Sequence, residues 1–180
     1  MRRCDVRRWV SYVFVACVMV ASSCWIVTAQ AANDLPSVNL NVGDAGPRQV
    51  EETTEQALQR DYARAWGSLE TALAENRADG LDADFVGVAL DELKDRVSQQ
   101  QQSGLHTRYI DHGHRLQAVF YSPEGSAVQL TDTAQLEVQY LDGDKILHSE
   151  QRTENYTVVM TAGENRWKVR VLQAVPGQPE

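Results

Sequence analysis

Residues 128–140, VQLTDTAQLEVQY, alternate apolar and polar side chains. The apolar side chains share one parity: Val128, Leu130, Ala134, Leu136, Val138 and Tyr140. The polar side chains occupy the other parity: Gln129, Thr131, Thr133, Gln135, Glu137 and Gln139. Because successive side chains of a strand point to opposite faces, the pattern predicts a long strand with one face in a core and one in solvent. We interpret the polar face as a candidate surface for a ligand or a partner.

Turn-forming residues divide the segments on either side of this strand. Before it they are His112-Gly113 and Pro123-Glu124-Gly125, and after it they are Asp142-Gly143-Asp144 and residues 162–165. Alternating segments between such turns predict four or five antiparallel strands, connected as a meander from Leu105 onward.

The segment from Ile146 to Thr161 contains a conflict between its two halves. Its second half marks the even positions as buried, with Tyr156, Val158 and Met160. Extending that parity backwards would bury four polar or charged side chains: His148, Glu150, Arg152 and Glu154. A bulge near residues 152–155 would reverse the faces, so we expect the sheet to bend there.

Two helices are predicted before the strands. Residues 53–56, TTEQ, fit a capping box, and apolar residues then recur at three- and four-residue steps to about Arg77. Asp82 or Asp84 is expected to cap a second helix, which carries Phe85 on its apolar face and ends near Gly104. The sequence thus predicts an α+β fold with two helices packed on a curved antiparallel sheet.

This order of elements resembles the nuclear-transport-factor-2-like superfamily over about residues 54–174. The resemblance also rests on Tyr62 and Trp66 in the first helix and on the Gly-x-x-x-Trp-Lys-Val ending of residues 163–169. It implies a cone-like domain in which the sheet wraps around the helices and leaves a pocket. The superfamily includes isomerases, dehydratases and non-catalytic binding or assembly domains, so the fold alone does not fix an activity.

The resemblance implies candidate acid–base residues, because enzymes of this superfamily place His, Asp or Tyr groups inside the cone. The positions here that are expected to reach the pocket are Tyr62, His148 and Glu150. The alternative is that Tyr62 belongs to the core and that the other two are solvated. No catalytic motif of the superfamily transfers to these positions, which favours a non-catalytic member.

Histidines and one aspartate form the densest group of metal-ligand residue types, namely His106 and the run Asp111-His112-Gly113-His114. His112 and His114 would share a strand face. However, Gly113 indicates a turn, and the spacing fixes no third ligand. We therefore predict a polar hairpin, no metal site and no cofactor.

An uncharged run of 21 residues, 9–29, precedes all of these elements. At about 1.5 Å per residue it would span a bilayer, and the basic residues before it, Arg2, Arg3, Arg7 and Arg8, predict a cytoplasmic amino terminus. The small-x-small pattern of residues 29–31 would suit cleavage, although the run is longer than a signal requires. Cleavage and retention both stay open, and a lipoprotein at Cys24 is a third alternative.

The remainder of the chain is predicted to be exported. We divide it into a flexible linker (32–53), a domain (54–175) and a tail (176–180), after a signal peptide or signal anchor (1–31). All three cysteines lie in the leader, so the domain has no disulfide or thiolate chemistry. Four arginines and one aspartate precede the apolar run, which leaves 13 basic against 24 acidic residues, a net charge of −11. Such a surface excludes nucleic acid as a partner.

Together these observations predict a non-enzymatic binding or assembly domain of the cell envelope, on the extracytoplasmic side. Its partner would be a protein or a small ligand, with the membrane contacted through residues 9–29 if they are retained and a homodimer as a further arrangement. The alternative is a small enzyme with acid–base chemistry in the cone pocket.

Overall fold

The computed structural model describes residues 35–176. The predicted leader lies outside these residues, as do residues 177–180 of the tail. In the described part of the chain, no helix combines the length and apolar character needed to cross a membrane.

A five-stranded sheet and two helices form the domain, as the sequence predicts. The helices are α1 (Glu52–Glu75) and α2 (Val88–Ser103). The strands are β1 (Val38–Asn41), β2 (Leu105–Tyr121), β3 (Ala127–Asp142), β4 (Lys145–Ala162) and β5 (Trp167–Val175). They lie in the order β1-β2-β3-β4-β5, with β2 to β5 as an antiparallel meander and β1 parallel to β2.

The core lies between the helices and one face of the sheet. The six inward residues of β3, from Val128 to Val138, are at most 1% exposed. On the opposite face the predicted polar side chains are exposed or half-buried, except Gln139, which is buried and donates to Glu137 Oε1 at 2.9 Å. Tyr140, predicted to be buried, is only half-buried.

The predicted turn at His112-Gly113 is instead a bulge in the middle of β2. Asp111 pairs with Leu136 and Gly113 with Gln135, which leaves His112 without an opposite residue. One unpaired residue changes the face on which later side chains lie. Asp111 and His114 therefore share the inner face while His112 is exposed, so the expectation that the two histidines share a face is wrong.

The prediction of a bulge near residues 152–155 of β4 is also wrong. The β3–β4 register is constant from His148 to Thr161, and its one shift lies near the hairpin, at Leu147. The parity of the buried second half continues backwards unbroken. Residues 145–151 are nevertheless exposed on both faces, so their polar side chains remain in solvent.

Both helices begin differently from the sequence prediction. Glu51 precedes α1 without a side-chain cap, and the Thr54 N–H donates to its carbonyl, so the expected capping box does not form. Gly87, at φ 60°, precedes α2. Phe85 lies before that helix in a bridge to Val169, so neither predicted aspartate caps α2.

Part of the predicted flexible linker is a strand. Residues 38–41 form β1, which pairs in parallel with residues 114–117 of β2. Leu40 is buried at 6% exposure, and its burial explains why this segment is ordered against the sheet.

Candidate functional site

Two features of the core contain chemically useful side chains. The first, the buried acid–base cluster, comprises Tyr62, Glu70, Asp111, His114 and Asp132. The second, the aromatic cleft, has a volume of about 260 Å³ and is lined by α1, α2, β2, β4 and β5.

The centre of the buried acid–base cluster is an imidazole held between two carboxylates. His114 Nδ1 lies 2.7 Å from Asp132 Oδ2, and His114 Nε2 lies 2.6 Å from Asp111 Oδ2. The Tyr62 hydroxyl donates to Asp132 Oδ2 at 2.8 Å. The side chains of His114 and Asp132 have no solvent exposure, and that of Asp111 is 7% exposed.

This geometry keeps His114 protonated at neutral pH. Burial lowers the pKa of the imidazole, but the hydrogen bonds to Asp111 and Asp132, and then their charges, outweigh burial and raise the pKa to about 9. Both ring nitrogens therefore carry protons and donate to the carboxylates. The cluster is held by an ion pair on each side of the ring.

The same surroundings raise the pKa of two neighbouring groups. Burial, followed by the negative charge of Asp132, raises the pKa of the Tyr62 hydroxyl well above its ordinary value. Burial, followed by the charge of Asp111, raises the pKa of Glu70 to about 7, against the opposing effect of His114. Glu70 Oε1 is buried without a hydrogen-bond partner among the described residues.

Trp66 contacts both the buried acid–base cluster and the aromatic cleft. Its ring centroid lies 4.4 Å from that of His114, 5.5 Å from that of Tyr156 and 6.2 Å from that of Tyr109. Trp66 lines the cleft, whereas none of the five cluster residues does. The indole therefore covers the imidazole on the side of the cleft.

The lining of the aromatic cleft is apolar with a polar rim. The apolar side chains are Trp66, Leu69, Ala89, Leu93, Leu172 and Ala174. The remaining side chains bear hydroxyl or charged groups: Glu92, Arg96, Tyr109, Arg152, Glu154 and Tyr156.

Arg96 and Tyr109 form the donor-rich part of that rim. Arg96 Nη2 donates to the Tyr109 hydroxyl at 2.7 Å, and the guanidinium lies 5.5 Å from the centre of the tyrosine ring. Within residues 35–176, Arg96 forms no ion pair with a carboxylate and the Tyr109 hydroxyl donates to no acceptor. Both groups are available to an incoming acceptor.

The other part of the rim is neutralised internally. Arg152 Nε lies 2.9 Å from Glu154 Oε1, an ion pair in which the N–H is not aligned for a hydrogen bond. The Tyr156 hydroxyl also donates to Glu154. Burial, followed by this hydrogen bond, raises the pKa of Tyr156, so its hydroxyl stays protonated.

The three predicted acid–base residues do not come together. Tyr62 belongs to the buried acid–base cluster and is absent from the lining of the cleft. The side chains of His148 and Glu150 are 60% and 42% exposed and lie 3.6 Å apart on the uncovered half of β4. The expectation that these two reach the pocket is wrong, because β4 extends beyond the part of the sheet that the helices cover.

The histidines considered as metal ligands are also separated. The bulge in β2 turns His112 outward and His114 inward. Across residues 35–176, no group of three or more His, Cys, Asp or Glu side chains is arranged to hold a metal ion.

Sequence reasoning missed Asp132 and Arg96, and it considered Asp111 only as a metal-ligand residue type and not as a partner of His114. A signal for Asp132 is present, because it occupies the inward parity of β3 between Leu130 and Ala134. A lone carboxylate on an otherwise apolar strand face must find a partner in the core. Asp111 and Arg96 have no comparable signal, since their positions depend on a bulge and on the packing of α2.

Comparisons with known proteins support the fold. No family model and no curated protein matches the chain. Among solved structures, the intermembrane space region of the chloroplast protein ARC6 is 18% identical at a TM-score of 0.57, covering 72% of this chain and 100% of that one.

Two bacterial structures are matched at lower similarity. A proposed dehydratase of the NTF2-like family from Streptomyces avermitilis is 11% identical at a TM-score of 0.48, covering 69% of this chain and 99% of that one. A proposed scytalone dehydratase from Novosphingobium aromaticivorans is 13% identical at 0.47, covering 69% and 89%. Identities this low concern the fold alone, and at TM-scores below 0.5 these two matches carry no argument about the family or the activity of this chain.

Proposed function

We propose that this chain is a non-enzymatic binding domain, exported from the cytoplasm, whose aromatic cleft holds a small ligand or the side chain of a protein partner. The ligand combines an apolar body with a carboxylate or another acceptor group. The donor pair Arg96 and Tyr109, beside aromatic rings and without an acceptor among the described residues, carries the proposal.

The chemistry of the buried acid–base cluster argues against proton transfer to a substrate. A general base needs a free lone pair within reach of the proton that it removes. Both nitrogens of His114 already donate to carboxylates, and the ring is covered by Trp66. The groups that would suit catalysis are therefore hydrogen-bonded to one another and not to a substrate.

The chemistry of the aromatic cleft suits binding. Aromatic and aliphatic side chains provide apolar contact area, and a few polar groups at the rim fix the orientation of a ligand. Arginine pairs with planar carboxylates, and the Tyr109 hydroxyl offers a second donor beside it. Because Arg152 is paired with Glu154, Arg96 is the cation that we assign to the ligand.

An extracytoplasmic location follows from the predicted leader, residues 9–29, and from the acidic balance of the remaining chain. The matched region of ARC6 lies in an intermembrane space, which accords with this proposal. The fold itself does not depend on the location.

Calorimetric titration tests the binding proposal with three probes of one shape: phenylacetate, phenylacetamide and phenethylammonium. We expect the carboxylate to bind most tightly and Arg96→Ala to weaken it by roughly ten- to a hundredfold, since a charge-assisted hydrogen bond is worth about 1.5–3 kcal/mol. Arg108→Ala, an exposed arginine on β2, is the matched control and should bind like the original chain. Equal affinities for the three probes, or an unaffected Arg96→Ala variant, would reject the proposal.

An enzyme remains the second candidate because of Glu70. Its carboxyl group, with a pKa of about 7, lies in a groove of about 350 Å³ that also contains Ser68 and Thr71. A carboxyl group titrating near neutrality can act as a general acid or base. If Glu70→Gln and Tyr62→Phe leave turnover of every tested substrate unchanged, this candidate fails.

A further inference from the structure

One long edge of the sheet is unpaired in the described part of the chain. β5 pairs with β4 only from Asn155 to Ala162, and the register shift at Leu147 interrupts β4 near its beginning. Between these limits lie residues 148–154, which pair regularly with β3 and face no other strand of residues 35–176. We call these seven residues the free β4 edge.

An unpaired strand edge presents a row of N–H and C=O groups to another strand. Proteins usually protect such edges with charged side chains, with proline, with bulges, or by covering them. The free β4 edge contains no proline and no bulge, and its charged side chains, Glu150, Arg152 and Glu154, are of both signs, so that two copies can pair them. Its side chains are exposed or half-buried throughout, so the edge is accessible to an added strand.

The sequence of the free β4 edge is HSEQRTE. When two copies of it run antiparallel, acidic side chains of one copy lie opposite basic side chains or a histidine of the other. We propose that two copies of this chain pair antiparallel through this edge, about a two-fold axis at Gln151, to form one continuous sheet. In this register His148 faces Glu154 of the partner subunit, and Glu150 faces the partner's Arg152. Ser149 faces the partner's Thr153, and Gln151 faces its own copy.

Two independent observations select this register. The first is geometric: Gln151 is the midpoint of the segment between the bulge at Leu147 and the first residue paired with β5, Asn155. The second is electrostatic. About this midpoint Glu150 lies opposite an arginine, and Glu154 lies opposite a histidine, which can carry a positive charge. Directly opposite residues on adjacent strands are the pairs that interact most strongly.

The neighbouring registers are unfavourable. A one-residue slip would place inner-face side chains opposite outer-face ones, which an antiparallel pair does not allow. A two-residue slip places Glu150 opposite the partner's Glu150, or Arg152 opposite the partner's Arg152. Like charges directly opposite each other destabilise a strand pair.

Within one chain Arg152 is already paired along the strand, with Glu150 at 3.3 Å and with Glu154 at 2.9 Å. Alternate residues of a strand are about 6.8 Å apart, whereas opposite residues of neighbouring strands are about 5 Å apart. The cross-strand arrangement therefore places a glutamate and an arginine at backbone positions that are closer together, so their side chains can pair without bending along the strand.

This pairing also brings the two aromatic clefts together. Even-numbered side chains of β4 lie on the inner face, and Arg152 and Glu154 line the cleft. In the proposed dimer the partner's His148 and the partner's Glu150 lie beside these two residues. Each copy thus contributes to the rim of the other's cleft.

Sedimentation of the purified full chain at low and high salt tests the proposal. We expect a dimer that weakens as salt rises, because exposed charge pairs are screened. Glu150→Arg and Arg152→Glu should each raise the dissociation constant at least about tenfold, since each sets like charges opposite each other. An equimolar mixture of the two variants should restore association, because glutamates at both positions of one copy then face arginines of the other.

Lys94→Glu, an exposed position on α2, is the matched control for Arg152→Glu because it makes the same change in net charge. Circular dichroism checks that each variant is folded. If Arg152→Glu does not fold, the double variant S149K/T153K sets lysines opposite each other on the outer face and should likewise abolish the dimer. A monomeric original chain, single variants that dimerise unchanged, or a mixture that does not associate would each overturn the proposal.

Discussion

Raising the pH through about 9 should destabilise the folded chain, because it removes the proton that holds the buried acid–base cluster together. In the folded state His114 donates to Asp111 and Asp132, and its pKa is about 9. Once the imidazole is neutral, two buried carboxylates face each other across it without a counter-charge. Such uncompensated burial of charge is costly.

The sign and size of the effect follow from proton linkage. The folded pKa of His114 lies above its ordinary value of 6.5, so the stabilisation is fully present below pH 6.5 and is lost as the pH rises through about 9. At about 1.4 kcal/mol per pKa unit, the difference between 6.5 and about 9 corresponds to a loss in free energy of unfolding of about 3–4 kcal/mol. Glu70 also makes the fold less stable as the pH rises, but over a lower range, from its ordinary pKa of 4.5 to about 7. Its raised pKa means that folding favours the protonated carboxyl group, so ionisation lowers the free energy of unfolding.

Urea unfolding followed by circular dichroism, from about pH 6 to about pH 9.5, measures the effect. NMR titration of the imidazoles provides a direct check, since one of the four histidines should keep its proton until the pH approaches 9. Asp111→Asn should lower the pKa of His114 and reduce the alkaline loss to about half, because one of two similar ion pairs is removed while an acceptor oxygen remains.

Asp95→Asn, an exposed change on α2, should leave the alkaline loss as it is in the original chain. An unfolding free energy that is the same at both ends of this pH range would refute the reasoning. So would an alkaline loss that Asp111→Asn does not reduce.

Three substitutions probe other parts of the fold through the free energy of unfolding in urea. Tyr62→Phe removes the donor to Asp132 and should cost about 1–3 kcal/mol. Asp61→Ala leaves the buried N–H of Trp167, now bonded at 2.9 Å, without an acceptor and should cost a similar amount. Leu40→Ala should cost about 2–4 kcal/mol, because Leu40 is a buried part of β1 and not of a flexible linker.

Each of these substitutions has a control of the same type at an exposed or half-buried position. Tyr140→Phe, Asp95→Ala and Leu35→Ala should each change the free energy of unfolding by less than about 0.5 kcal/mol. A buried substitution that costs no more than its control would show that the contact in question does not stabilise the fold.

The fold was predictable where local patterns decide it. The alternation of β3 identified its buried face because each side chain of a regular strand takes its face from its neighbours. The turns at Gly125 and Gly143, both at positive φ, were identified because glycine adopts that conformation without strain. Bulges were not predictable, since Gly113 reads equally well as a turn.

The candidate site was predictable only in part, for a related reason. Tyr62 stood out on the apolar stripe of α1, and Asp132 could have been found as the one carboxylate on the inward parity of residues 128–140. Their contact joins residues far apart in sequence. Asp111 reaches His114 only because the extra residue in β2 brings the two onto one face. No local pattern carries that information.

The same residue types can therefore indicate an enzyme in the sequence and a structural cluster in the fold. A histidine, aspartates and a tyrosine inside a cone suit acid–base chemistry when a substrate can reach them. Here the hydrogen bonds among His114, Asp111 and Asp132 occupy the groups that would act, and Trp66 covers the ring. What stays available is the donor pair of Arg96 and Tyr109, which can bind an acceptor group of a ligand. Accessibility of the lone pair, more than the identity of the residues, separates the two functions.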